Sequence, residues 1–282
     1  MNHGWQSGAE RPVMEDSLQY HIRCKRGDVN RYVLLPGDPE RVDFIAKEWD
    51  EARFVANNRE HRTWSGALGG VPVTACSTGM GGPSASIALE ELAALGADTF
   101  IRVGSCGAIQ EEVNCGDLII CSGAMRQDGT SPEYVDISYP AVSHYAVTAA
   151  LVEACERLGF PYHVGASCTT ASFYCGQARA GFGGYTQSAA DRKIEDLRRA
   201  GVLDFEMEAA TILTLSGLYG LRAGAVFSVV AHRLKDTFQY TGIDRSVQAA
   251  NEAVRILAAW DATKAAKGKR WWFPGLSGMK EE

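Results

Sequence analysis

Apolar, β-branched runs alternating with longer stretches of helical spacing constrain this chain more than any other feature. RYVLL (31–35), VPVTACS (71–77), TFIRVG (99–104), DLIIC (117–121), YHVGASC (162–168) and AGAVFSVVA (223–231) read as buried strands. Between and after them, PERVDFIAKEW (39–49), PSASIALEELAALG (83–96), VTAALVEACERLG (147–159), EMEAATILTLSGLYG (206–220) and SVQAANEAVRILAAW (246–260) show helical spacing. That order predicts an α/β fold with a mixed or largely parallel central sheet flanked by helices. No repeat, linker or shift of composition divides the 282 residues. One domain over 1–282 is therefore expected, with a core spanning 20–260 and irregular segments at 1–20 and 262–282. The aromatics of KGKRWWFPGLSGMKEE are expected to pack on a neighbour or to fray.

A composition of 46% hydrophobic and 22% charged residues supplies a sizeable core, and a formal net charge of −6 argues against general nucleic-acid or membrane-surface binding. An anion site must then come from particular arginines. No apolar run reaches the length of a membrane span and the first residues carry no signal-like pattern, so the chain reads as cytoplasmic. Its eight cysteines form no CxxC pair and meet no histidine at zinc-like spacing; they read as reduced core thiols.

Ligands of α/β sheets gather where strands end and helices begin, and several such junctions here are rich in glycine. LLPGDPER (34–41) turns at Gly37 and enters a helix at Pro39, placing backbone N–H groups and Arg41 where an anion fits; a tight turn with a capped helix explains it equally well. STGMGGPSAS (77–86) repeats the arrangement without the spacing of a P-loop or a dinucleotide fingerprint. In IRVGSCGAI (101–109) an arginine interrupts an apolar strand, so Arg102 is either an anion ligand or half of a structural ion pair, with Ser105 near enough to share the anion. DFEME (204–208) offers Glu206 and Glu208 at a helix start, where one carboxylate suffices as a cap; the second, beside Met207, suits the hydroxyls and flat face of a ribose. In SFYCGQARAG (172–181), Gln177 and Arg179 can together read O2, N3–H and O4 of a uracil ring that Phe173 covers, although a solvated surface loop is the plainer reading of that segment alone.

In this order PGDPER, STGMGGPSAS, RVGSCGA, FYCGQAR and EMEAAT resemble the successive motifs of the uridine phosphorylases of the nucleoside phosphorylase-I family. The resemblance implies pentosyl transfer, in which uridine and phosphate give uracil and ribose 1-phosphate reversibly, with 2′-deoxyuridine or thymidine as further candidate substrates. It implies no required cofactor, and a homo-hexamer built as a trimer of dimers with shared active sites. Residue by residue, Gly37, Arg41, Arg102 and Ser105 match phosphate positions, Ser105 standing where the bacterial enzymes usually carry Thr. Arg59 matches an arginine lent to phosphate by the neighbouring subunit, and His21 a histidine that reaches the ribose from that neighbour. Met207 and Glu208 match ribose contacts, with Glu206 beside them. Phe173, Gln177, Arg179 and Arg233 match the base site, and Glu60 and Ser84 a monovalent-cation (K+) position. Arg102, Gln177 and Arg179 would carry the catalysis. His232 departs from the Asn usual before that last arginine, and its reading as a strand-end residue packing locally stands beside a ligand role. His61, His144 and His163 have no motif support. The competing readings are a purine nucleoside phosphorylase or nucleosidase of the same fold, and a non-catalytic nucleoside-binding protein.

Overall fold

In a computed structural model, residues 7–278 are described; Met1–Gln6 and Met279–Glu282, the outer ends of the two irregular terminal segments, lie outside them. The first half of the chain forms β1 (Tyr32–Pro36), α1 (Pro39–Ala46), β2 (Glu51–Asn58), β3 (His61–Leu68), β4 (Val71–Cys76), α2 (Gly82–Ala94), β5 (Thr99–Ala108), β6 (Leu118–Gln127) and α3 (Ser131–Tyr134). The second half adds β7 (Ala141–Val142), α4 (Tyr145–Leu158), β8 (Tyr162–Thr170), α5 (Ala190–Arg199), β9 (Val202–Glu206), α6 (Ala209–Leu218), β10 (Arg222–His232), β11 (Thr237–Phe238) and α7 (Ile243–Ala266).

The expected mixed α/β sheet is present. Strands β5, β10, β6, β8 and β9 pair in sequence, and β9 returns to β5, so this part of the sheet closes on itself; β1, β4, β3 and β2 extend outward from β5. Side chains that alternate along β1 explain the continuous apolar run. Val33 and Leu35 enter one cluster with α2 and α6, whereas Tyr32 and Leu34 enter another with α1, α4 and α7. The two sets of strand directions meet at the end of β5. There Gly107 and Ala108 pair antiparallel with Phe205 and Asp204, so β5 and β9 overlap only near their C-terminal ends, and those ends converge on one place.

Below the sheet, near the start of β1 and β10, Asp261 of α7 accepts from the Tyr32 hydroxyl at 2.7 Å and from Arg222 at 2.7 and 2.9 Å, with Lys264 at 2.7 Å. Burial alone would raise the Asp261 carboxyl, but Arg222, Lys264 and Tyr32 hold it well below the usual range. Such stabilisation is present above the unfolded carboxylate pKa and is lost as pH falls toward the depressed folded value. Asp261→Asn is expected to cost on the order of 3 kcal/mol, because it leaves the largely buried Arg222 with only the more distant Asp98, at 3.9 Å, as counter-charge. In urea titrations the loss should be full at neutral pH and shrink in acid.

The C-terminal aromatics do not fray. Trp272 stacks on Trp260 of α7 with ring centroids 3.7 Å apart, Trp271 lies near His144, and Leu276 is fully buried. They pack on their own chain. The cysteines are free thiols, and all but the partly exposed Cys115 and Cys175 are buried.

Candidate functional site

The convergence of strand ends opens into a cavity of about 570 Å³ lined by Gly37, Arg41, Arg102, Ser105, Phe173, Gln177, Arg179, Glu206, Met207 and Glu208, with Glu60 at its side. Motifs separated by as many as 171 residues in sequence thus line one cavity. His21, Arg59, Ser84 and Arg233 do not line it.

Arg102 is half of a buried ion pair and still has a donor to spare. Its Nε donates to Glu206 Oε2 at 3.0 Å and Nη2 contacts Glu208 Oε2, while Nη1 is buried without a hydrogen-bond partner. Burial alone would lower its pKa, but Glu208 and Glu206 outweigh that effect and raise it. Gly104, two residues along the same strand face, makes room for this guanidinium. A Cβ there would stand 3.0 Å from Arg102 Nη2 and 2.9 Å from the Phe227 ring. Arg41, on the first turn of α1, repeats the pattern, with Nη1 donating to the Val103 carbonyl at 3.1 Å and Nε buried without a partner. Asp38 caps that helix by accepting from the Glu40 N–H at 2.9 Å. Two buried guanidinium groups with an unused donor each make a local demand for an acceptor or anion, because an unpaired buried donor is costly.

Glu206 departs from its expected ribose contact. It is the last residue of β9, and its oxygens accept from the N–H groups of Glu208 at 2.8 Å and Ala209 at 2.9 Å, from Arg102 and from the Thr169 hydroxyl. It is therefore the helix cap and the ion-pair partner, and α6 begins after EME rather than within it. Glu208 is the less committed carboxylate. Its Oε1 accepts from Gly81 N–H at 2.5 Å, and burial raises its pKa while Arg102 opposes the rise. Gly79, in the same loop, has φ +70°, and a Cβ there would meet the Glu60 side chain at 2.6 Å.

The loop after β8 folds over the far end. Gln177 is buried, its side-chain oxygen accepts from Arg179 Nη1, and that nitrogen also donates to the Phe173 carbonyl at 2.9 Å. The Arg179 guanidinium lies 3.9 Å from the centre of the Phe173 ring. Burial, then the neighbouring Arg233, lower the Arg179 pKa to about 10. Arg233 differs from its expected base contact, because its Nη1 donates to the Gln177 backbone carbonyl at 2.7 Å and so braces the loop from behind. His232 likewise faces away. It is buried, its Nδ1 accepts from the Lys235 N–H at 3.1 Å, and burial followed by Lys235 lowers its pKa. The wall at this end is Val230, Ala231 and Phe238. An irregularity in pairing with β5 between Val229 and Ala231 lets the consecutive residues Val230 and Ala231 both reach the cavity, which strict alternation would forbid.

Arg59 and His21 sit together beside this site. Arg59 forms the tip of the β2–β3 hairpin with φ +55°, its guanidinium 6.0 Å from the Tyr20 ring; His21 Nδ1 is 2.7 Å from Glu91 Oε1, and Asn58 Nδ2 donates to the His21 carbonyl at 2.6 Å. Ser84 donates to Glu60 Oε1 at 2.7 Å, and that bond, more than any other contact, lowers the Glu60 pKa. Sequence reasoning missed Met80, Cys106, Phe205, Val230, Ala231 and Phe238 as cavity residues. Met80, Cys106 and Phe205 lie within STGMGGPSAS, IRVGSCGAI and DFEME, and Val230 and Ala231 within the apolar run AGAVFSVVA, whereas Phe238 carried no signal.

The model of the Phosphorylase superfamily matches residues 31–260. The chain is 56% identical to the uridine phosphorylase of Thermococcus kodakarensis, over 96% of this chain and 98% of that protein. It is 40% identical to the uridine phosphorylase of Klebsiella aerogenes, over 86% of this chain and 97% of that one. A guanosine phosphorylase of Halorubrum lacusprofundi is also 40% identical, over 75% of this chain and 82% of its own length.

Proposed function

The chain belongs to the Phosphorylase superfamily, and we propose that its reaction is the phosphorolysis of uridine to uracil and ribose 1-phosphate. The observation that carries the phosphate half is the pair of unused buried donors, Arg41 Nε and Arg102 Nη1, on two arginines that line the same cavity. Likeness favours uridine, the relative named for guanosine being 40% identical over less of the chain than those named for uridine, one of which is 56% identical. The loop supports the same base. Gln177 and Arg179 supply two donors and a carboxamide lone pair to the edge of a flat ring, which suits the alternating acceptor, donor and acceptor of uracil.

In the proposed reaction Arg41 and Arg102 hold phosphate in line with C1′ while Glu208 and Met207 hold the ribose. As the glycosidic bond lengthens, negative charge grows on the uracil oxygens, and Arg179 meets it there, so stabilisation increases toward the transition state. Arg59 and His21 complete a neighbouring subunit's site in this reading, because they lie close together and outside the lining of their own chain's cavity. Glu60 and Ser84 offer at most three side-chain oxygens, fewer than hard cations take, so a monovalent cation would need further oxygens from a second copy. Among the described residues no helix is long and apolar enough to cross a membrane, and a cytoplasmic location fits the free thiols.

The test is base release from uridine, thymidine, inosine and guanosine, each with and without phosphate. Uracil should appear from uridine only when phosphate is present. Faster release of a purine, or uracil release indifferent to phosphate, would overturn the assignment.

A further inference from the structure

Beneath the Arg102 ion pair lies a carboxyl that the proposed reaction does not use. Asp204 precedes Glu206 by two residues on β9, so both leave the strand on the same face. It is fully buried; Oδ1 accepts from the Ser167 hydroxyl of β8 at 2.8 Å, and Oδ2 has no hydrogen-bond partner. The groups around it are mostly neutral. From β5 comes the Cys106 thiol, from β6 Cys121 and from β8 Cys168, all raised by burial, the last two to about 12. Lys193 of α5 is engaged elsewhere, donating to Gln127 and to the Gly176 carbonyl. That leaves Arg102 as the cation of the cluster, and it already faces Glu206 and Glu208.

We propose that Asp204 is a positioning residue that works as a neutral acid, its proton keeping a third carboxylate charge away from Arg102 so that Nη1 stays free for the anion. An unpartnered oxygen in a dry site is tolerable on a neutral acid and far more costly on a carboxylate. Burial pushes the Asp204 carboxyl up to about 8; the Ser167 hydrogen bond opposes the rise, Glu206 adds to it, and the Cys106 thiol and Arg102 oppose it with smaller effect. Ionised Asp204 would compete for Arg102 and repel phosphate, while the far end of the cavity, where Gln177 and Arg179 sit, would be less affected.

This inference rests on the phosphorolysis reading, and its test separates the two. Asp204→Asn keeps shape and neutrality but cannot ionise. With kcat/KM for phosphate followed from about pH 6 to about 10, the unmodified protein should lose roughly tenfold relative to Asp204→Asn one pH unit above the Asp204 transition, and differ little from it below. Ionisation of the substrates is common to both proteins and cancels in the comparison. Ser167→Ala removes a donor that favours the carboxylate, so its alkaline limb should move to higher pH, a direction that nonspecific damage does not produce. Thermal unfolding gives a readout free of activity. A carboxyl raised in the folded state costs stability as pH climbs from its unfolded pKa to its folded one, so the advantage of Asp204→Asn should grow between about pH 4 and about 8 and then level. Coincident alkaline limbs in the unmodified protein and Asp204→Asn, or an unmoved limb in Ser167→Ala should Asp204→Asn fail to fold, would sink the proposal. Absence of phosphate-dependent uracil release from the unmodified protein would instead sink the reading beneath it, with the unfolding curves still reporting the ionisation.

Discussion

Arg102→Met is expected to lower kcat/KM for phosphate by roughly 10³-fold, the upper end of what a single oxyanion-directed donor contributes. The same change should cost about 3–5 kcal/mol of folding stability, because it leaves the buried Glu206 and Glu208 without their shared cation. One substitution thus disturbs two functions, and a second separates them. Arg102→Lys keeps the charge but gives a compact ammonium in place of a fork, which cannot serve Glu206, Glu208 and an anion from three separate nitrogens. Most of the stability should return in denaturant titrations while the KM for phosphate stays high. A lysine variant with normal phosphate KM would show that the unused Nη1 donor is not what the anion needs.

The strands buried on both faces were legible because nothing but an apolar run can occupy a sheet covered by α2 and α6 on one side and α1, α4 and α7 on the other. β2 and β3 were not, since the apolar residues of EARFVANN follow no strict alternation and are mostly exposed, while the buried face of HRTWSGAL starts with the polar His61, Thr63 and Ser65. α5, ADRKIEDLRR, buries only Leu197, so its helical period is written almost wholly in charges. β9 is five residues long, too short for a period, and its last residue was read as helix. In the site, residue types foretold which side chains meet but not how their valences are spent. Arg102 carried two readings because a strand arginine looks the same whether it pairs with a carboxylate or an anion, and here it has donors for both. Glu206 and Arg233 illustrate the converse: the Glu206 oxygens, though on the cavity lining, are taken by Arg102, Thr169 and the start of α6, and Arg233, outside the lining, gives Nη1 to the Gln177 carbonyl. His232 could not be placed from sequence because the irregularity at Val229–Ala231 shifts the alternation of β10 just before it.

Arg179→Ala should reduce uridine turnover by roughly 10²-fold or more, the loss seen when one donor to a developing oxyanion is removed. The geometry gives the cation two tasks, since its Nη1 ties the Gln177 side chain to the Phe173 carbonyl while its remaining donors are left for the base. Leaving-group dependence distinguishes them. If Arg179 stabilises charge on departing uracil, a riboside whose leaving group carries negative charge easily should lose much less than uridine does, because less of its barrier lies in that charge. If Arg179 only holds the loop, both substrates should suffer alike, with the damage in KM as much as in kcat. The placement of Arg233 favours the first outcome: its own bond to the Gln177 carbonyl already braces the loop backbone, and it sets a second positive charge near Arg179. Two adjacent guanidinium groups repel, and an anion forming on the ring beside them relieves that repulsion only as the glycosidic bond breaks.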